Sequence, residues 1–298
     1  MDPTFRQLRT LLAVLDRGTV SAAARSLGVT QSAASQQLKE LERGLGVRLL
    51  ERAKGRFLPT AAGEAVVSQA RRAQAAVEDI RAAAVAFRSG EVGRIRFGTG
   101  ATACIYLLPA VLAALKERLP GVEVVISTGN TPEMLRRVEE GSLDSALVSL
   151  PVAIPRSLHV ERVAADPLLA VIPRELAPPR RAALSAAEIA RLPLILYEAG
   201  GSTRAIIDGW FRRGGESPRP VMELGSVEAI KVLVESGRGA SVLPALALGG
   251  EGGGVKGAVA LPLRPRLARE LAIVLRREKV LDRTLRAVLN ELKARTGE

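Results

Sequence analysis

Gln31, Ser32, Ser35, Gln36 and Lys39 recur at helical spacing and place amide, hydroxyl and ammonium groups on one side of a short segment. Short side chains that both donate and accept suit the edges of base pairs in a major groove and the phosphates beside it. Just downstream, Lys54-Gly55-Arg56 sets two cations around a glycine turn, the chemistry that displaces counterions from a phosphate or a minor groove. The elements that must hold these groups are readable around them. Thr19 and Thr30 are hydroxyl caps for two short helices, because an oxygen there accepts from a free N–H of the opening turn. Ala24, Gly28 and Ala34 fall where two crossing helices need a small contact, a positive-φ turn and a second small contact. Val20, Ala23, Leu27, Leu38 and Leu41 make the inward stripe. Residues 46–60 read as a short β-hairpin. Residues 4–16, with Phe5, Leu8, Leu11, Leu12 and Leu15 at helical spacing, read as a helix that ends at Gly18 and completes a small core. From residues 19–42 alone, an ordinary surface pair of helices with a polar outer face stays open.

As a set, these residues resemble the LysR-type transcriptional regulators. The likeness lies in Phe5, Leu8 and Leu11, in Ala22-Ala23-Ala24 and Leu27, in Thr30-Gln31-Ser32-Ala33 and Ser35, and in Leu38, Leu41-Glu42 and Leu45-Gly46. It continues through Leu49, Arg52 and Leu58-Pro59-Thr60-Ala61-Ala62-Gly63. Leu50 stands where the family usually has Phe, and Ala34 where it has a larger aliphatic. The resemblance implies a winged helix-turn-helix that binds double-stranded DNA, with Thr30 and Arg52 joining the DNA-contact set. It also implies a homodimer that assembles into a homotetramer, a small-molecule effector and an encounter with RNA polymerase.

Residues 60–88 predict one long helix, capped by Thr60 and followed by Gly90. Val66, Ala70, Ala73, Val77, Ile80, Ala84 and Phe87 follow one another at intervals of four and three. That is a heptad seam, the mark of a helix paired with another helix. At 1.5 Å per residue the helix runs roughly 40 Å, longer than a small domain needs, and a dimerisation role fits it better than packing on its own domain. The family's linker helix matches it.

Beyond Gly90-Glu91-Val92-Gly93 the pattern changes to alternating strands and helices, which predicts parallel sheets covered by helices. Strands are expected at 94–99, 122–128, 145–150, 158–163, 168–173, 194–197, 220–224, 240–243 and 269–276. There are too many for one sheet, and residues 151–156 and 264–266 sit where the chain could cross between two lobes. The resemblance supports this, since the family carries an effector region like a periplasmic binding protein. Leu107-Leu108-Pro109, Gly141, Leu143-Asp144, Ala146-Leu147, Val234, Gly237, Gly239 and Leu243-Pro244 fall where that pattern wants them. The expected fold class is α/β with an N-terminal all-α winged helix-turn-helix over 1–60, a linker and dimerisation helix over 61–90 and a two-lobed effector-binding domain over 91–298. Lobe I covers about 91–161 and 266–298, and lobe II about 162–265.

Ligands of such sheets bind beyond the carboxyl ends of the strands. That rule selects Thr99, Gly100, Thr102, Asn130, Thr131 and Ser149 in one lobe, and Gly201, Ser202, Thr203, Ser226 and Pro244 in the other. Several open helices, whose N–H groups and dipole favour a small anion or carboxylate, with Arg204 as a countercharge. Ser and Thr at helix starts are also ordinary caps, so each residue has a purely structural alternative.

The chemistry of catalysis is missing. Gly98-Thr99-Gly100-Ala101-Thr102-Ala103 satisfies a dinucleotide fingerprint, but the next strand ends Val125-Ile126-Ser127-Thr128 with no acid to hold a ribose. His159 is the one histidine, which removes His-based triads and His-pair metal sites. Cys104 is the one cysteine, better suited to core packing than to a redox pair. Residues 249–257 are Gly-rich without the Gly-Lys-Ser/Thr of a phosphate loop. No carboxylate pair, metal spacing or cofactor motif is present, so an enzyme is not expected.

The 298 residues carry a formal net charge of +12, and the first 90 hold 14 Lys+Arg against 8 Asp+Glu. Half the excess thus lies in under a third of the chain, as an anion-binding module there requires. Aromatics are 3%, so Leu, Val and Ala must fill the interior. With no leader-like start and no spanning apolar run, the expected location is the cytoplasm, off the membrane. Two other classes remain open. A small-molecule binding protein or enzyme whose basic third only dimerises would bind DNA weakly and without sequence preference. An architectural DNA binder with a vestigial cleft would ignore metabolites.

Overall fold

A computed structural model describes residues 2–53, 55–87, 93–179, 182–250 and 254–296, with backbone alone for 82–87. Two compact units make up the chain, the first covering 1–89 and the second almost all of the rest.

The first unit begins with three helices, α1 (Phe5–Arg17), α2 (Val20–Leu27) and α3 (Gln31–Leu45). Thr4, Thr19 and Thr30 cap them, and Gly18, Gly28 and Gly46 end them at positive φ. A hairpin follows, β1 (Leu50–Ala53) and β2 (Arg56–Pro59), and then the 27-residue helix α4 (Ala61–Phe87). Leu11, Val14, Ala23, Leu38, Leu41 and Leu49 form the buried core, and Phe57, Val66 and Val67 pack on it. Glu42 fixes the start of the hairpin, its Oε1 accepting from the Leu49 and Leu50 amides at 2.8 and 3.2 Å. Gly63 is obligatory at the start of α4, where a Cβ would stand 2.0 Å from the Leu49 carbonyl oxygen.

The second unit runs β3 (Arg94–Thr99), α5 (Ala101–Tyr106), α6 (Leu108–Arg118), β4 (Glu123–Thr128), α7 (Thr131–Glu139), β5 (Ser145–Leu150) and β6 (Leu158–Pro173). It continues through β7 (Leu184–Ser185), α8 (Ala186–Ala190), β8 (Ile195–Tyr197), α9 (Ser202–Arg213), β9 (Met222–Leu224), α10 (Val227–Glu235), β10 (Ser241–Pro244), β11 (Ala258–Arg276) and α11 (Arg283–Thr296). The principal sheet has the order β10-β6-β11-β5-β3-β4, and β8 pairs β9 in a small second sheet.

Three expectations are corrected here: the all-parallel sheet, the separate strands and the places where the chain changes lobe. The sheet is mixed: β3 pairs β4 and β5 in parallel, whereas β6, β11, β10 and β5 meet in antiparallel ladders. The strands expected at 158–163 and 168–173 are one, and the strand expected at 269–276 is the second half of the 19-residue β11. Pro167 has no N–H to give the ladder, yet β6 runs on through it, with Asp166 facing Arg269 across the ladder and the two side chains ion-paired. Both long strands run through two lobes. In the first lobe, apolar clusters around Phe97 and Val111 on one side and around Met134 and Val148 on the other cover the sheet. In the second, clusters around Trp210 and Ile189 and around Val227 and Ile230 do the same. The chain crosses between lobes at 164–167 of β6 and 268–270 of β11, where Asp166 faces Arg269. The expected crossing at 264–266 is thus moved along the strand: Leu263 and Leu267 both pack in the second lobe, and at 263–266 the ladder with β6 is merely interrupted while β7 pairs instead. Residues 151–156 are no crossing, since β5 and the start of β6 lie in the same lobe.

Candidate functional site

In the first unit, Gln31, Ser32, Gln36 and Lys39 are exposed along α3, and Ser35 is half-buried between them. Several of these groups already have partners. Thr30 accepts from the Ala33 amide at 3.2 Å and lies 3.0 Å from the Ser32 hydroxyl, so its oxygen is chiefly a cap. The Gln31 carbonyl oxygen accepts from Ser21 at 2.9 Å, and the Gln36 amide donates to Glu40 at 2.8 Å. Arg52 lies over the Phe57 ring at 5.7 Å, a cation–π contact. The Arg56 guanidinium stands over Gly18, where a Cβ would meet its Nε at 2.7 Å, and the Phe57 amide donates to the Gly18 carbonyl at 3.0 Å. The hairpin is thereby fixed against the turn between α1 and α2. Lys54 lies outside the described residues.

On α4, Val66 packs against the first unit's own core and Ala70 is buried. Ala73 and Val77 are half-buried, while Ile80 is 67% exposed. Ala84 and Phe87 lie outside the described side chains. The seam is therefore shared between packing within the unit and a face left open further along.

In the second unit a cavity of about 360 Å³ opens between the lobes. Thr99, Gly100, Thr102, Asn130, Thr131 and Ser149 line it from the first lobe, and Gly201, Ser202 and Thr203 from the second. They meet because each follows the carboxyl end of a strand or opens a helix at the same edge. Ser226 and Pro244 are not in the lining. The Ser226 hydroxyl caps its own helix by accepting from the Ala229 amide at 3.4 Å, leaving Gly225 at the wall, and Pro244 is buried at the end of β10.

Thr131 ties the lining together. Its hydroxyl is 3.3 Å from the Ser202 hydroxyl across the cleft and accepts from the Ser149 amide at 3.3 Å. Gly100 and Gly201 begin α5 and α9 with no side-chain cap, so the first N–H groups of both helices are open at the cavity. The buried hydroxyls of Thr99 and Tyr197 have no hydrogen-bond partner among the described residues, and both residues line the cavity. Burial raises the Tyr197 phenol above its ordinary pKa, so at neutral pH it is a neutral donor.

The expected countercharge, Arg204, is at the wall but already bound. It donates to Asp208 at 2.9 Å, to Glu223 at 2.6 Å and to the Tyr197 carbonyl at 2.5 Å. A second arginine was missed. Arg269 donates from Nε and Nη2 to Asp166 at 3.0 and 2.8 Å, and from Nη1 to the Thr203 hydroxyl at 3.0 Å. No local signal marks it, because Arg269 stands among Arg264, Arg266 and Glu270 in the sequence; burial with its partner Asp166 is what sets it apart. Glu198 is the one acidic residue of the lining. Each cation at the wall thus has an acidic partner, and hydroxyls and backbone N–H groups make up most of the binding chemistry.

Among the described residues, no group of three or more His, Cys, Asp or Glu could hold a metal ion, and no helix is long and apolar enough to cross a membrane. Cys104 is half-buried and packs on the first-lobe cluster.

Two family models match the chain. Residues 5–64 fit the bacterial regulatory helix-turn-helix protein of the lysR family, and residues 88–297 fit the LysR substrate binding domain. The HTH-type transcriptional regulator CbbR of Xanthobacter flavus is 33% identical over 81% of this chain and 73% of its own. A probable hydrogen peroxide-inducible genes activator of Mycobacterium avium is 31% identical over 97% of this chain and 94% of its own. In fold, the chain is similar to full-length OxyR from Pseudomonas aeruginosa, with a TM-score of 0.79, 23% identity and coverage of 98% and 95%. It is likewise similar to full-length CbnR complexed with its target DNA, with a TM-score of 0.67, 23% identity and coverage of 98% and 99%.

Proposed function

The chain belongs to the LysR family of transcriptional regulators, and on that premise we propose that it reads a specific DNA site through α3 and the hairpin under control of a small molecule held between its two lobes. It is a regulator and not an enzyme. Gln31, Ser32, Ser35, Gln36 and Lys39 meet the bases and nearby phosphates, while Thr30, Arg52, Lys54 and Arg56 position the domain on the backbone. Two copies pair along α4 through Ala73, Val77, Ile80, Ala84 and Phe87, and pairs of dimers form a tetramer. On DNA the assembly engages RNA polymerase.

The observation that carries the effector reading is the cavity, in which nine expected residues meet and where the buried hydroxyls of one of them, Thr99, and of Tyr197 have no partner among the described residues. An unmet buried hydroxyl costs about 1–3 kcal/mol, which a ligand that bonds it recovers. Both wall arginines are neutralised, which argues against a multiply charged effector. The open N–H groups of α9 favour one negative charge. The best fit is a small monoanion, a monocarboxylate with further oxygens for Thr99 and Tyr197. Relatives named as peroxide-inducible activators suggest a second trigger, oxidation. With one cysteine, half-buried on a core, this chain has no partner for a disulfide within itself.

A thermal-shift screen of the full chain against neutral sugars, monocarboxylates, dicarboxylates and phosphate esters tests the reading. A ligand at 100 times its Kd adds about 2.7 kcal/mol to the folded state. Selective stabilisation by a monocarboxylate is expected. Stabilisation by dianions alone would overturn the charge argument, and no stabilisation by any class would favour a DNA binder with an idle cleft.

A further inference from the structure

Behind the cavity, each lobe lends a side chain to the other. Tyr106 ends α5 in the first lobe but packs against the second-lobe cluster that contains Leu169, Ile195, Val227 and Ile230. Leu246, just after β10, does the reverse and packs on the first-lobe cluster. Around Tyr106 the exchange also carries charge. The phenol donates to the Glu228 carboxylate, and the Lys231 ammonium donates to the phenol oxygen at 2.6 Å. Lys231 also lies 4.9 Å from the centre of the Tyr106 ring and 3.5 Å from Glu228 Oε2. Burial, reinforced by the Glu228 hydrogen bond, raises the phenol above its ordinary pKa, so the proton needed for this ring of contacts is held at neutral pH.

The position of the ring matters. α5 begins at the cavity wall with Gly100 and Ala101 and ends at Tyr106. α10 begins beside the wall residue Gly225 and carries Glu228 and Lys231 in its first turns. At the cavity itself the lobes meet through the Thr131 and Ser202 hydroxyls at 3.3 Å, a long neutral pair. Hydrogen bonds to charged groups are roughly twice as strong as neutral ones. The two edges of the cleft are therefore unequal: a charge-assisted ring with an apolar exchange at the back, and a weak hydroxyl pair at the front.

We propose that Tyr106, Glu228 and Lys231 form a latch that fixes the resting spacing of the two lobes, so that a ligand in the cavity moves the Thr131–Ser202 edge against this fixed point. The effector reading supplies the ligand, whereas the latch is a property of the empty protein. Because the two helices join the cavity wall to the latch, occupancy of one and integrity of the other bias the same lobe geometry.

Hydrogen exchange on the full chain without ligand tests this in wild type, Tyr106→Phe, Lys231→Met and the double variant. Tyr106→Phe keeps the ring in its apolar seat and removes only the hydroxyl. Amides of 101–107 and 227–236 are expected to exchange about tenfold faster in each single variant, with β5 unchanged. The double variant should match the singles, because the ring is broken only once. Unchanged exchange in both segments, multiplicative effects in the double variant, or equal acceleration in β5 would each overturn the latch. No effector enters the experiment, so a flat ligand screen leaves this result standing, and a failed latch leaves the ligand screen standing.

Discussion

At Thr99 stability and the proposed effector binding would pull in opposite directions. Its side chain is fully buried and its hydroxyl has no partner among the described residues. A strand interior would ordinarily hold Val at such a place, since the two side chains have nearly the same shape and Val leaves nothing unsatisfied. Thr99→Val is therefore expected to stabilise the full chain by about 1 kcal/mol in urea unfolding, while reducing the thermal shift produced by whichever monocarboxylate the screen identifies. A variant that is less stable, or that keeps the whole shift, would show that the hydroxyl does not await a ligand. Thr99 was legible from the rule that ligands sit beyond strand ends, whereas Tyr197 was not, because nothing local marks a phenol as unpaired. Arg269 escaped for a related reason. Its partner Asp166 is 103 positions away in the chain, and only the ladder register shows that the two face each other.

At the scale of elements, the proposed reading divides DNA binding between α3 and the hairpin, and the division can be measured. Gln36 is exposed on the face of α3 and, among the described residues, its amide donates to its neighbour Glu40, so its truncation leaves the helix intact. Gln36→Ala is expected to weaken the specific site by about 1–3 kcal/mol with little effect on unrelated sequence. Arg56→Ala is expected to weaken all sequences alike and lower the salt slope by about one. Salt titrations on both DNAs check the pair, and equal loss on specific and nonspecific DNA in Gln36→Ala would remove base readout from α3. The long helix makes a different prediction. Val66 and Ala70 are used within the unit, so the proposed pairing of two chains would fall to the later part of the seam, and on that reading Val77→Glu is expected to halve the mass seen by sedimentation. An unchanged mass would move the dimer contact elsewhere. Local elements were readable because caps, glycine stops and apolar periods are local signals: α1, α2 and α3 begin and end beside the threonines and glycines that mark them, and α4 begins directly after Thr60. α5 and α6 are separated at Leu107 because Pro109 lacks the N–H that would continue a single helix. The long strands β6 and β11 were read as fragments because Pro167 and Pro265 interrupt the pattern that single-strand reasoning relies on.

The second unit as a whole has two lobes but not two independent folding blocks. β6 and β11 each supply strands to both lobes, and the two strands pair along most of their length. A lobe that unfolded alone would have to break that ladder in its middle, at the point where Asp166 and Arg269 are paired, both about 5% exposed. Asp166 also accepts from the Leu246 amide at 3.0 Å, holding the turn that inserts Leu246 into the other lobe's core. Removing the carboxylate leaves a buried guanidinium with Thr203 as its one remaining partner among the described residues, a loss of about 3–5 kcal/mol. For a unit of this size each kcal/mol shifts the midpoint by about 2–4 °C, so Asp166→Ala is expected to lower the main calorimetric transition by roughly 10 °C. The expected form of the change is as informative as its size: one transition displaced as a whole, with no new component. A split transition would show that the lobes unfold separately, and the ladder would then be a tether across which ligand binding could not be transmitted as a change in lobe geometry.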